Sequence, residues 1–298
     1  MNKEVIETLD FKNFVSLFMQ REDMDFTYDN SPIQIYPLHY AKIFIKPPSP
    51  LFKLEYSILL IFRTGGGVQQ IDNEIYQIKQ NQVLFIREGH LNSIKSIHPE
   101  TSGYFIYIDF KVLSRVISDN NQLRRITYNP QHNLSSEDGL WITKCCDLMM
   151  EIKGQPPNSL EIKTALLKSI FLKLIEGWGY ELSVIDRKME LALLFKELLF
   201  KNFKEHRDVK FYADSLTIST NYLNRILKSL TNRSVKQHIH EIIISHSQVL
   251  LQSTSTTISQ VAFDLNFNDP SHFGRVFKQV TEMSPSDYQN SIMHNLSE

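Results

Sequence analysis

Two groups of polar side chains in the last third of the chain have the types and spacing to grip a polyanion and read its edges. The first is Asn221, Asn224, Arg225 and Lys228; the second, fifty positions on, is Ser271, His272, Arg275 and Lys278. Asn offers a donor and acceptor that match adenine, Arg a fork that matches guanine, and Lys a point charge for phosphate. At helical spacing each group lies opposite an apolar stripe. Leu223, Ile226, Leu227 and Leu230 form the first stripe, and Phe273, Val276, Phe277 and Val280 the second. One such face is an ordinary solvated surface; two with Arg and Lys at the same offset point to a shared task.

The elements that must position these groups repeat as well. Tyr222-Leu223-Asn224-Arg225-Ile226-Leu227-Lys228 returns as His272-Phe273-Gly274-Arg275-Val276-Phe277-Lys278, with Ala213/Leu216 and Ala262/Leu265 upstream and Ser234 and Ser284 downstream. Internal repetition means one supersecondary unit used twice, here helix, tight turn, helix. Ser219 caps the second helix of the first unit, and Asn268 or Asp269 with Pro270 starts that of the second. A helix over Met189–Phe203 precedes the pair, and a helix over Val235–Leu251 joins the two units. Of the histidines on the joining helix, His238 and His240 point to different sides, so they read as solvated or capping groups rather than metal ligands.

The segment resembles the twin helix-turn-helix domain of the arabinose-regulator (AraC/XylS) family of bacterial transcription regulators. The residues that carry the resemblance are Tyr212-Ala213-Asp214-Ser215-Leu216, Ser219-x-x-Tyr222-Leu223-x-Arg225-x-x-Lys228, and Ile258-x-x-Val261-Ala262 through Phe267-x-Asp269-x-Ser271-His272-Phe273-x-Arg275-x-Phe277-Lys278 to Ser284-Pro285-x-x-Tyr288. The pattern departs at Asn266 and Glu282, where the family has Gly, at Ile243 and Gln289, where it has Arg, and at Ser247, where it has Ala. The resemblance implies a DNA-binding transcription regulator with double-stranded DNA and RNA polymerase as partners, acting as a homodimer. The DNA-binding residues are then Asn221, Asn224, Arg225, Lys228, Ser271, His272, Arg275 and Lys278.

With 298 residues the chain has room for two domains, each with its own core. The boundary falls in Gly177–Asp186, giving an N-terminal domain over 1–185 and a DNA-binding domain over 186–298. The net charge of −1 does not advertise nucleic-acid binding, so binding rests on where the cations sit. The start of the chain is polar and mixed in charge, no apolar run is long enough to span a membrane, and the two cysteines, Cys145 and Cys146, are adjacent. These features fit a reduced cytoplasmic compartment.

The N-terminal half, from Ile33 to Phe110, reads as short strands with hairpin turns at Gly65-Gly66-Gly67, Asp72-Asn73 and Glu88-Gly89. It resembles the cupin-like effector domain of many relatives, carried by the strand–Gly65–strand run and Phe85-Ile86-x-x-Gly89-x-x-Asn92. The expected architecture is therefore α+β: a cupin-like antiparallel β-barrel followed by helices, then an all-α domain with two helix-turn-helix units. Further expectations are an amphipathic helix in Asp10–Asn30, a strand at Ile43-Phe44-Ile45, a polar loop over Thr127–Gly139, a helix over Leu140–Ile152, and a capping box Asn158-x-x-Glu161 opening a helix over Leu160–Trp178. That last helix either packs on the barrel or mediates dimerisation. The barrel interior is the place for a small organic effector, with Phe44, Tyr56, Ile58 and Phe85 as apolar wall and Arg63, His90 and Lys95 as polar groups near it. No catalytic grouping, cofactor or metal set is apparent; His39, His90 and His98 are scattered. The alternatives are a cupin-type enzyme with a helical assembly domain, and a constitutive DNA-binding regulator without ligand.

Overall fold

The computed structural model describes residues 31–39, 47–152, 156–182, 187–252 and 256–297. The helix expected in Asp10–Asn30, the strand at Ile43–Ile45 and the candidate wall residue Phe44 lie outside them. Residue contacts divide the chain into two compact units, the first reaching Val184 and the second starting at Ile185.

In the first unit the strands form two antiparallel sheets. β1 (Ile33–Pro37), β8 (Ser102–Ile108), β3 (Ser57–Thr64), β6 (Gln82–Ile86) and β9 (Gln131–Asn133) lie in that order in one sheet. β2 (Phe52–Lys53), β7 (Leu91–Ile97), β4 (Gly67–Ile71) and β5 (Glu74–Ile78) make the other. In place of one closed barrel, the described strands thus form an antiparallel double sheet. β9 falls inside the stretch read as a polar loop, where Val83↔His132 pairing completes the sheet edge.

β3 is buried on both sides because its two faces meet different layers. Ile58, Leu60 and Phe62 point between the sheets. Leu59 and Ile61 point the other way, onto α1 (Phe110–Val116), α3 (Ser136–Glu151) and α4 (Ser159–Leu182). A further helix, α2 (Asn120–Tyr128), precedes β9. The turn into β4 depends on glycine: at Gly66, φ is 147° and a Cβ would lie 2.0 Å from the Ile78 carbonyl oxygen. The capping box expected at Asn158 does not form, since Asn158 has φ 65° rather than the extended backbone of a cap. Cys145 and Cys146 are both buried and unbridged, and burial raises the pKa of each thiol.

Among the described residues the regular elements of the second unit are helices: α5 (Arg187–Asn202), α6 (Val209–Ser215), α7 (Thr220–Thr231), α8 (Val235–Leu250), α9 (Ile258–Asp264), α10 (Pro270–Thr281) and α11 (Pro285–Ser297). One apolar core runs through both helix-turn-helix units, from Leu191 and Phe195 through Leu223, Ile226 and Leu227 to Phe273 and Phe277. α8 lies at its centre, contributing Val235, Ile239, Ile242, Ile243 and Ile244. Ile243, standing where the family has Arg, is thus core. Leu230 departs from the expected stripe; it is exposed, one turn beyond the buried Leu227.

Candidate functional site

α7 starts where Ser219 caps it, the side chain accepting from the Tyr222 N–H. α10 starts at Asp269, whose carboxylate accepts from the N–H groups of Ser271 and His272, with Pro270 in the first turn. Those two N–H groups, the Ser271 bond foremost, hold the Asp269 carboxyl below the usual range. Each helix ends in a left-handed residue, Asn232 at φ 58° and Glu282 at φ 64°. The turns between the paired helices differ in length, since Leu216 corresponds to Leu265 but Ser219 to Asp269. Each turn still contains one left-handed residue, Thr217 at φ 55° and Asn266 at φ 56°. The positions where the family has Gly are therefore backbone positions that favour Gly, and Asn266 secures its own with a 3.0 Å bond to the Lys204 carbonyl.

Asn221, Arg225 and Lys228 are exposed at i, i+4 and i+7, on one face of α7. The Arg225 guanidinium lies 5.1 Å from the centre of the Tyr222 ring, which steadies it at the surface. Ser271, Arg275 and Lys278 repeat the arrangement on α10, and His272 is exposed beside them, its ring edge-on to Phe267. Arg207 lies over the Phe267 ring, 4.0 Å from its centre. Arg207 is a residue the sequence reading passed over, because nothing near it in the chain marks it out.

Asn224 does not join this face. It is half-buried, and both ends of its amide are engaged: Nδ2 donates to the Thr220 carbonyl (3.2 Å) and Oδ1 accepts from the Val235 N–H (3.1 Å). Val235 is the first residue of α8 and wholly buried, so its N–H needs a protein partner. The second copy solves the same problem differently. Pro285 stands at the equivalent helix start and has no N–H, and Gly274 stands where Asn224 would be. A Cβ at Gly274 would meet nothing within 4 Å, so the glycine is not there for lack of space.

His238 is not solvated. It is buried, 2.9 Å from Thr231 Oγ1, and burial pushes its pKa down to about 4. His240 is half-buried and likewise pushed down, by burial first and then by Lys236, His272 and Arg207.

In the first unit, a cavity of about 60 Å³ opens between the two sheets. Among the proposed wall residues Ile58 lines it, together with Leu60, Phe62 and Phe105. Phe85 does not: its cross-strand partner is Leu59, so it faces the helices and meets Phe171 edge-on. Tyr56 is buried in the same inter-sheet core but packs on Tyr107, with ring centres 4.4 Å apart. Arg63 is exposed, and His90 is buried with Nδ1 2.7 Å from Asp72 Oδ2. Lys95 is half-buried, with its pKa lowered by burial, and like those two it is not part of the lining. The lining groups missed from sequence are Gln69 and Asn92, buried polar side chains hydrogen-bonded to each other. Among the described residues no three His, Cys, Asp or Glu side chains converge, and no helix is long and apolar enough to cross a membrane.

Residues 212–291 match a family model described as a helix-turn-helix domain. The chain is 21% identical over 273 residues to the HTH-type transcriptional activator RhaR of Mannheimia succiniciproducens, covering 90% of this chain and 95% of that one. It is 23% identical over 246 residues to the lactose operon transcription activator of Staphylococcus xylosus, covering 80% and 85%. Among solved structures, ToxT from Vibrio cholerae O395 aligns at a TM-score of 0.40 and 16% identity, over 87% of this chain and 97% of that one.

Proposed function

Since the chain belongs, through the helix-turn-helix domain at residues 212–291, to the arabinose-regulator (AraC/XylS) family, we propose that it is a sequence-specific DNA-binding transcription regulator controlled by a small organic effector. The observation that carries this reading is the duplicated exposed triplet, Asn221/Arg225/Lys228 and Ser271/Arg275/Lys278, on two helices built into one core. α8, whose 16 residues span ~24 Å, holds the two faces at a separation suited to successive major grooves ~34 Å apart. Asn221 and Arg225 near the start of α7 reach base edges, while Lys228 and Lys278 meet phosphates. α10 offers Ser271, His272 and Arg275 and is smooth at Gly274, so it acts more as a backbone clamp than as a reader.

In this reading residues 1–185 hold the effector and the dimer contact, and residues 186–298 hold the DNA. An effector alters transcription only by favouring one arrangement of the protein over another, which requires unequal affinity for the two. That both curated relatives are named transcription activators supports activation, with RNA polymerase as the further partner. Genome-wide mapping of bound DNA, followed by anisotropy titration of a recovered site, tests the reading. The wild type should bind and Arg225→Ala/Arg275→Ala should lose the preference for that site over random DNA. Equal binding to both DNAs by the wild type would overturn it.

A further inference from the structure

The inter-sheet cavity holds a polar pair whose bonding capacity is only half used. Gln69 and Asn92 sit diagonally on β4 and β7, are 6% and 2% exposed, and line the cavity. They share one hydrogen bond, written as Gln69 Nε2 donating to Asn92 Oδ1. That leaves the Gln69 carbonyl oxygen and the Asn92 amino group uncommitted. If both amides are turned over, the bond survives with its direction reversed, and what is left is again one carbonyl and one amino group. The pair therefore presents a donor and an acceptor side by side under either assignment.

The rest of the described lining sets the complement. Ile58, Leu60, Phe62 and Phe105 face the pair from the other sheet. Thr101 Oγ1 is already committed to the Gly66 backbone in both roles and the Tyr36 hydroxyl donates to Gln34, which leaves the Ser96 hydroxyl as a further open donor among the described lining side chains. No described lining residue is charged. Among the described lining residues a buried carboxylate or phosphate finds no counter-charge, and a polyhydroxylated ring would leave hydroxyls facing Phe and Leu without partners. The volume of about 60 Å³ is that of about four to six water-sized groups.

We propose that this cavity binds an uncharged molecule with a short apolar body and one amide-, lactam- or alcohol-type group, the polar group held by Gln69 and Asn92 and the body by Ile58, Leu60, Phe62 and Phe105. The proposal rests on the effector reading of the N-terminal unit and names the ligand class. A ligand of this size binds no tighter than about micromolar, which suits sensing an abundant metabolite.

The test is thermal melting of the full chain with three probes: isobutyramide, its charged isostere isobutyrate, and a pentose. Isobutyramide should raise the melting temperature at concentrations where the other two do not, with at least a tenfold preference over isobutyrate. Gln69→Leu/Asn92→Leu replaces both partners of the bond with apolar groups of similar shape, a change that can be nearly neutral to folding. In that variant the response to isobutyramide should vanish and benzene should stabilise instead. Isobutyrate or the pentose matching isobutyramide, no response to isobutyramide at tens of millimolar, or a response that survives in the double variant would each overturn the proposal. If the double variant does not fold, the ranking of the three probes on the wild type decides alone. DNA affinity with and without isobutyramide separates the two levels: stabilisation without a change in affinity leaves the ligand class standing and removes the effector reading.

Discussion

Replacing Asn224 by Ala leaves the Val235 N–H without its acceptor in a place water does not reach, since Val235 is 0% exposed. An orphaned buried donor costs about 1–3 kcal/mol. The second bond, to the Thr220 carbonyl, adds little, because helical carbonyls of this kind already serve the backbone. Asn224→Ala should therefore destabilise the second unit by about 2 kcal/mol, which at a urea slope of about 1–3 kcal/mol/M moves the midpoint by about 1 M. The second copy supplies the compensating change. Val235→Pro in the Asn224→Ala background removes the orphan donor at a helix start that tolerates Pro, as Pro285 does fifty residues on. The double variant should recover at least about 1 kcal/mol relative to additivity of the two single changes. The assay is urea denaturation of the full chain followed by far-UV ellipticity. Both tryptophans, Trp141 and Trp178, belong to the first unit, so tryptophan fluorescence serves as a control that should not shift. Additive single changes, or a loss below about 0.3 kcal/mol for Asn224→Ala, would refute the reasoning.

Arg225→Ala should weaken a specific site by about 1–3 kcal/mol and relax preference at one base pair, whereas Lys228→Ala should weaken all sequences alike and lower the salt slope by about 1, both read by anisotropy at several salt concentrations. Asn224→Ala should leave base preference unchanged, measured against the same set of sites. Thr217→Gly and Glu282→Gly, at exposed left-handed positions, should each raise stability by about 0.5–1 kcal/mol, the strain relieved exceeding the added freedom of the unfolded chain; urea midpoints that fall would count against this. Stability of the second unit should decline with acid through His238, whose pKa is lowered from 6.5 to about 4 by burial. The unfolded chain takes up the proton first, so the loss begins as pH falls below about 6.5 and levels off near 4, and His238→Gln should flatten that part of the pH profile.

The duplication, both caps and the ends of α8 were legible in the chain because they are local: cap residues, helical spacing and a fixed offset announce them. The bonds that Asn224 makes were not legible, for the opposite reason. Its place in the repeat put it on the outer face, but its partner Val235 lies eleven residues on, and only the packing of α7 against α8 brings them together. Among the strand residues, alternation correctly separates two faces but does not say which face meets the helices. That depends on register, and the pairing Leu59↔Phe85 turns Phe85 away from the cavity. His90 looked available because its carboxylate partner, Asp72, sits eighteen residues upstream in a turn. Gln69 was not singled out, and Asn92 only as part of the resemblance and not as a lining group, since polar residues in strands ordinarily mark a solvated face, and these are buried between the sheets.

The most direct test of the central claim is selection of bound sequences from random double-stranded DNA by the full chain. The expected result is a two-part site, with one half sharply specified through Asn221 and Arg225 on α7 and the other, opposite α10, degenerate, the halves about one helical turn apart. Failure to enrich any sequence, or recovery of two equally sharp halves, would contradict it.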